Sequence, residues 1–147
     1  MVHSSVRSLL TGRDLIVLFP FQTVFEAAGI LSSQIIGGAP VLDGNQLVGI
    51  FTERDVLRRV VAADRDPKTT RVADVMTPKP RTIEAAAPLV KAFAMMSEGQ
   101  FRHLPVIGGD GTVVAMLSTR DIPVEYRILH QHWSDWTKLD TCPAAAI

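Results

Sequence analysis

Two short stretches share an uncommon set of side chains. "GIFTERD" (49–55) and "AMLSTRD" (115–121) each run from an apolar segment into a hydroxyl, two spacers and an aspartate. The chemistry open to such a set is recognition of a sugar phosphate. A helix starting at the hydroxyl presents unpaired N–H groups and a partial positive charge, which suit phosphate. The hydroxyl of Thr52 or Ser118 can donate a further bond to a phosphate oxygen. Asp55 and Asp121, when ionised, repel phosphate but accept hydrogen bonds well, and a ribose 2′,3′-diol offers two donors. The same spacing also describes a helix N-cap with an acid in its first turn. The residues alone leave cap and ligand site both open.

The second copy adds "FRHLPV" (101–106). Arg102 can engage phosphate oxygens in a two-pronged fashion, and His103 can donate to them. Read plainly, Arg102 is a surface charge and His103 a hydrogen-bonded filler. The first copy has Gly37 and Gly38 at these positions, which predicts a roomier cleft with less charge there. Arg54 and Arg120 precede the two aspartates and are candidate cleft residues. Arg58 and Arg59 are expected on a solvated helix face.

The elements that must position these residues come twice. Shifting the sequence by 65 positions sets "GGAPVL" (37–42) on "RHLPVI" (102–107) and "TVFEAAGILSS" (23–33) on "PLVKAFAMMSE" (88–98). It also sets "LIVL" (15–18) on "PRTI" (80–83), and one extra residue within 108–111 brings the two aspartate motifs together. Each copy reads as a short extended piece (15–18 or 81–84), a helix, two strands joined by a Gly/Asp turn, and a last helix from Thr52 or Ser118. Thr23 with Glu26 is a capping-box pair, and Pro88 suits a helix start. Val24, Ala27, Ala28 and Leu31 share one apolar face, as do Leu89, Ala92, Phe93 and Met96. A unit of this size has a marginal core, so the copies are expected to pack on each other. The expected organisation is a first repeat at 6–62, a charged linker at 63–71 and a second repeat at 72–123, then a helix and tail at 124–147. Pro123 is predicted to break the last helix and start a new one. On that new helix Tyr126, Leu129, Trp133 and Trp136 form one aromatic face, suited equally to self-packing or to an interface. His130 and His132 are two apart and do not share a metal.

Composition narrows the classes. Fifteen basic residues balance fifteen acidic ones, so nucleic acid and anionic membrane are not expected as main partners. The one cysteine, Cys142, excludes a disulfide framework within the chain. The first residues lack a signal-peptide pattern, and no apolar run reaches a membrane span, so a soluble cytoplasmic protein is expected. The motifs of phosphate loops, nucleophilic triads and metal clusters do not occur, which argues against a small nucleotide-acting enzyme.

The β-α-β-β-α repeat, with "DVMTPKP" (74–80) before the second copy, "LPV" within it and the hydroxyl-x-x-Asp at its end, resembles the cystathionine-β-synthase (CBS) domain. Two in tandem resemble a Bateman module, over about residues 6–125. The resemblance implies an α+β fold: two β-α-β-β-α repeats related by pseudo-twofold symmetry, plus a C-terminal helix. It implies a stand-alone regulatory module without catalysis or catalytic cofactor. Such a module would bind AMP, ADP or ATP, or, as in some members, NAD or S-adenosylmethionine, in clefts between the repeats. It would form a homodimer and act through an effector protein. The nucleotide-binding set it implies is Thr52, Asp55, Arg102, His103, Ser118, Arg120 and Asp121, with Arg54 and Thr82. The alternatives are a ligand-free dimerisation or protein-interaction module, and the small enzyme disfavoured above.

Overall fold

The computed structural model describes residues 5–128. The expected aromatic positions Leu129, Trp133 and Trp136, and the His130/His132 pair, lie outside the described residues.

Helix α2 (Val24–Gln34) opens on the Thr23 half of the expected capping box, with the Glu26 N–H donating to the Thr23 hydroxyl at 3.1 Å. Its next two orphan donors find partners in the segment expected to be a linker. Val24 N–H donates to the Thr70 carbonyl at 2.8 Å and Phe25 N–H to that of Pro67 at 2.9 Å. This segment therefore closes a helix end that would otherwise leave backbone donors unpaired. Helix α5 (Leu89–Gly99) follows Pro88. Both helices stop at a left-handed residue, Ile35 and Gln100, each with φ of 55°. The buried faces are Val24, Ala27 and Leu31 on α2, and Leu89, Ala92 and Met96 on α5.

The hairpins follow. Strands β1 (Gly38–Asp43) and β2 (Gln46–Thr52) pair antiparallel. They turn at Gly44, whose φ of 61° is one that glycine adopts without strain. Strands β5 (His103–Ile107) and β6 (Val113–Ser118) repeat the arrangement, and each hairpin carries one register shift. Strand β4 (Ile83–Glu84), within the stretch expected to be extended, runs parallel to β5. The first repeat differs. Its 15–18 piece makes a single bridge, Leu18 to Val41, and the third strand of its sheet is β3 (Thr77–Pro78), antiparallel to β2. Leu18 spends both backbone groups on β1, through Pro40 O and Leu42 N–H, and Pro20 lacks the N–H needed to extend the ladder. The open edge of β2 is covered by the segment leading into the second repeat.

That crossing is reciprocal. Helix α1 (Val6–Leu9) opens the first repeat but packs on the second, with Val6 fully buried among Ile83, Leu89, Leu104 and Leu117. Helix α4 (Val72–Val75) opens the second repeat but packs on the first, with Val72 and Val75 buried among Leu18, Val24 and Phe51. Each leading segment is pinned by backbone bonds, Val6 N–H to Ala87 O at 3.0 Å and Val72 N–H to Gln22 O at 2.8 Å. Neither small core is complete without the other repeat's leader.

After β2 the chain makes α3 (Glu53–Asp55) and a π-helical turn, Val56–Val61. After β6 it makes only a 3-10 turn, Thr119–Asp121, passes through an extended Ile122, and starts α6 at 124, helical through 128. The break expected at Pro123 is present. Among the described residues no helix is long and apolar enough to cross a membrane.

Val6→Ala should lower unfolding free energy by about 1–3 kcal/mol, since it opens space in a core that does not belong to its own repeat. Urea denaturation is the measurement. A change below about 0.5 kcal/mol, the range of an ordinary surface substitution, would show that α1 is not part of the second core.

Candidate functional site

The two aspartate motifs open into one cavity of about 970 Å³ between the repeats. Its walls come from the Thr52 and Ser118 turns, from residues 13–16 near the start of the first repeat, and from Gly37–Gly38 facing Arg102–His103. Leu15, Ile16, Ile36, Ile50 and Met116 give it apolar surface.

Each motif folds into a capping box. Thr52 N–H donates to Asp55 Oδ2 at 2.9 Å, and Ser118 N–H donates to Asp121 Oδ2 at 2.7 Å. In return, the Thr52 hydroxyl accepts from Asp55 N–H, and that of Ser118 from Arg120 N–H. The second carboxylate oxygen is held from the other repeat's leader. Thr77 Oγ1 donates to Asp55 Oδ1 at 3.0 Å, and Arg13 Nη1 pairs with Asp121 Oδ1 at 2.6 Å.

The two carboxylates then differ. Asp55 also accepts the Thr52 hydroxyl at 3.2 Å and lies 3.7 Å from Arg59 Nε, and it is 5% exposed. An ionised carboxylate has about four acceptor positions, and Asp55 has little left to offer. Asp121 has two bonds, to Ser118 and Arg13, and its side chain is 12% exposed toward the cavity. It can still accept a diol.

The arginines also separate. Arg54 lines the cavity, as expected, but its Nη1 donates to the Gln100 carbonyl at 3.1 Å, across the repeats at the C-cap of α5. Arg59 is exposed, as expected of a solvated face, and also donates to the Met76 carbonyl at 2.7 Å, which ties the π-helical turn to the end of α4. Arg58, Arg102 and Arg120 line the cavity. Thr82 is exposed just before β4 and is not among the lining residues.

His103 lies against Gly37 and Gly38. A Cβ on Gly38 would come within 3.2 Å of the imidazole and 2.9 Å of Thr52 Cγ2, and one on Gly37 within 2.7 Å of Glu53 Oε1. The room expected beside the glycines is therefore taken by the His103 ring. Burial holds the imidazole below its ordinary range against the attraction of Glu53 and Asp121, while Arg102 and Arg120 push the same way as burial.

Sequence reasoning missed four residues at this site. Thr77 stands in the quoted "DVMTP", but nothing local shows that it reaches Asp55. Arg13 is found only by matching "VRSLLTGR" (6–13) to "VADVMTPK" (72–79), which sets it opposite Lys79. Glu53 was passed over as a spacer. Arg127 lines the cavity from α6, beyond the repeat.

The family model described as CBS domain matches residues 6–62 and again 72–122. The chain belongs to the CBS-domain family. Among its CBS relatives, the mitochondrial CBS domain-containing protein CBSX3 of Arabidopsis thaliana is 32% identical over 123 residues, covering 80% of this chain and 58% of that protein. YlbB of Bacillus subtilis is 33% identical over 105 residues, 70% of each chain. Longer Arabidopsis relatives, CBSCBSPB5 and CBSCBSPB3, are spanned over only 14% and 22% of their length. Among solved structures, the CBS domain protein PAE2072 from Pyrobaculum aerophilum, complexed with AMP, superposes with a TM-score of 0.76 at 28% identity, over 86% of this chain and 96% of that one. CBSX2 in complex with AMP gives 0.68 at 26% identity, over 87% and 98%. The tandem CBS pair, α+β with pseudo-twofold repeats, stands as the sequence resemblance implied.

The environment of His103 predicts a pH effect on stability. Its folded-state pKa lies below the unfolded value of 6.5, so the unfolded chain binds the proton first as pH falls. Stability should therefore decline as pH falls through 6.5, the unfolded value, toward the lower folded one, and His103→Gln should remove that part of the decline. Melting temperatures across this window test it; equal slopes in the two proteins would show that the imidazole is not held neutral by the fold.

Proposed function

We propose that the chain is a regulatory, non-catalytic module that binds an adenine nucleotide in the cavity between its CBS repeats. The observation that carries this reading is Asp121, a carboxylate with acceptor positions to spare, set in a cavity wall beside Ser118, Arg102 and Arg120. In this reading Asp121 takes the ribose hydroxyls, sharing its charge with Arg13 or displacing it. Arg102, His103 and Ser118 take the phosphate, and Arg120 adds positive charge. The apolar wall near Ile16 and Met116 accepts the base. Asp55, Thr52 and Arg54 serve the fold first, so the second-repeat half of the cavity is the preferred seat. Thr82 is left out of the set. AMP in the structures of PAE2072 and CBSX2 supports the nucleotide class.

One observation favours the ligand-free alternative: both aspartates complete capping boxes without any ligand. A thermal-shift panel of AMP, ATP, NAD and S-adenosylmethionine separates the two readings, because a ligand that binds only the native state raises its melting temperature.

The module is further proposed to act as a homodimer on an effector protein. Leu57, Val61 and Val90 leave apolar side chains exposed on helical faces, which a second copy would cover. Light scattering that shows only monomer across the micromolar range would remove the dimer from the account.

Asp121→Ala should weaken AMP and adenosine together by about ten- to a hundred-fold, the scale of hydrogen bonds to a charged group. Arg102→Ala should weaken AMP by a similar factor and leave adenosine nearly unchanged. Calorimetry with both ligands measures the ratio. If Arg102→Ala weakens both alike, Arg102 shapes the pocket instead of reading phosphate.

A further inference from the structure

The CBS family model ends at residue 122, but the cavity wall continues past it. Arg127 on α6 lines the cavity. Its Nη2 donates to the carbonyl of Thr119, the residue after the Ser118 cap. Its Nε–H is buried and has no hydrogen-bond partner among the described residues. A buried donor on a charged group is costly to leave unmade, and the group that would satisfy a cationic donor best is an anion. The Nε–H is one prong of a rigid fork that matches two oxygens of a phosphate. The neighbouring charge fits the same ligand. Arg13, Arg54, Arg58, Arg102 and Arg120 line the same cavity and outnumber its acids, Asp14, Glu53, Asp55 and Asp121, of which Asp121 is engaged by Ser118 N–H and Arg13.

We propose that Arg127 is an anion-binding residue of this site, contributed by a helix outside the repeat, and that it takes a phosphate oxygen of the bound ligand. Helix α6 is then fastened at two points. Tyr126 packs on the second core, and Arg127 is anchored to Thr119 and to the ligand. Filling the cavity thus fixes the helix that leads out of the module, so ligand occupancy is passed to whatever follows residue 128. The ligand's identity as a nucleotide rests on the reading above; the anion contact does not.

The test compares wild type, Arg127→Gln and Arg127→Lys by calorimetry with AMP, adenosine and inorganic pyrophosphate. Gln keeps an amide donor for the Thr119 carbonyl but loses the charge, and Lys keeps the charge but loses the fork. The proposal expects Arg127→Gln to bind AMP about ten- to a hundred-fold more weakly, with adenosine within about threefold and Lys intermediate. Both tryptophans, Trp133 and Trp136, follow Arg127 within ten residues of chain, so AMP should shift wild-type emission and fail to do so in Arg127→Gln. AMP binding in Arg127→Gln equal to wild type, or equal losses for AMP and adenosine, overturns the proposal. Unchanged wild-type emission on saturation overturns the transmission through the helix. If wild type binds pyrophosphate but not AMP, and Arg127→Gln loses pyrophosphate, the anion site stands and the nucleotide reading falls. If wild type binds none of the three, both fall.

Discussion

A carboxylate that accepts the backbone N–H three residues before it fixes the end of each hairpin, and much else hangs on that bond. In both repeats the aspartate turns the chain out of its last strand and holds the turn against the cavity. Its second oxygen then takes a donor from the segment leading into the other repeat, Thr77 for Asp55 and Arg13 for Asp121. The same leading segments bring Val72 and Val6 into the opposite cores. Closing the cavity and completing the two cores are thus one event, and a small repeat that would be marginal alone gains its partner's buried surface.

The two halves have diverged around this shared frame. In the first, Thr77 and Arg59 join Thr52 on a nearly inaccessible carboxylate. In the second, a single long, flexible arginine holds a carboxylate at the cavity wall. The first repeat's Gly37 and Gly38 are matched by the His103 ring, which takes the space that side chains there would need. An acid, Glu53, faces that ring where the second copy has Thr119. Anion-favouring side chains therefore gather on the second repeat's side, and α6 adds Arg127 to them.

Much of this frame is legible in the sequence because its signals are local. The helix faces of Val24–Leu31 and Leu89–Met96, the Gly44 turn and the Thr23 cap each depend on spacing within a few residues. So does the break at Pro123, which follows from the missing N–H of proline. The exchanged leaders are not legible in the same way. Val6 and Val72 look alike as short apolar starts, and only the packed structure shows that each serves the opposite core. The site divides along the same line. Asp121, Ser118 and Arg102 are found by motif. Arg13 arrives from a distant segment by tertiary contact, and Arg127 from the helix just past the repeat; neither carries a local mark of its destination. Arg54 and Arg59 are the reverse case: their charge suggests a ligand or a solvated face, while their hydrogen bonds go to helix-end carbonyls.

The central claim is that Asp121 is the ribose acceptor of an adenine nucleotide seated between the repeats. The structure of the protein crystallised with AMP tests it most directly. The account predicts ribose hydroxyls at about 2.6–3.2 Å from the Asp121 carboxylate, with Arg13 displaced or sharing that carboxylate. A nucleotide bound elsewhere, with the Arg13–Asp121 pair intact and the cavity empty, would contradict it.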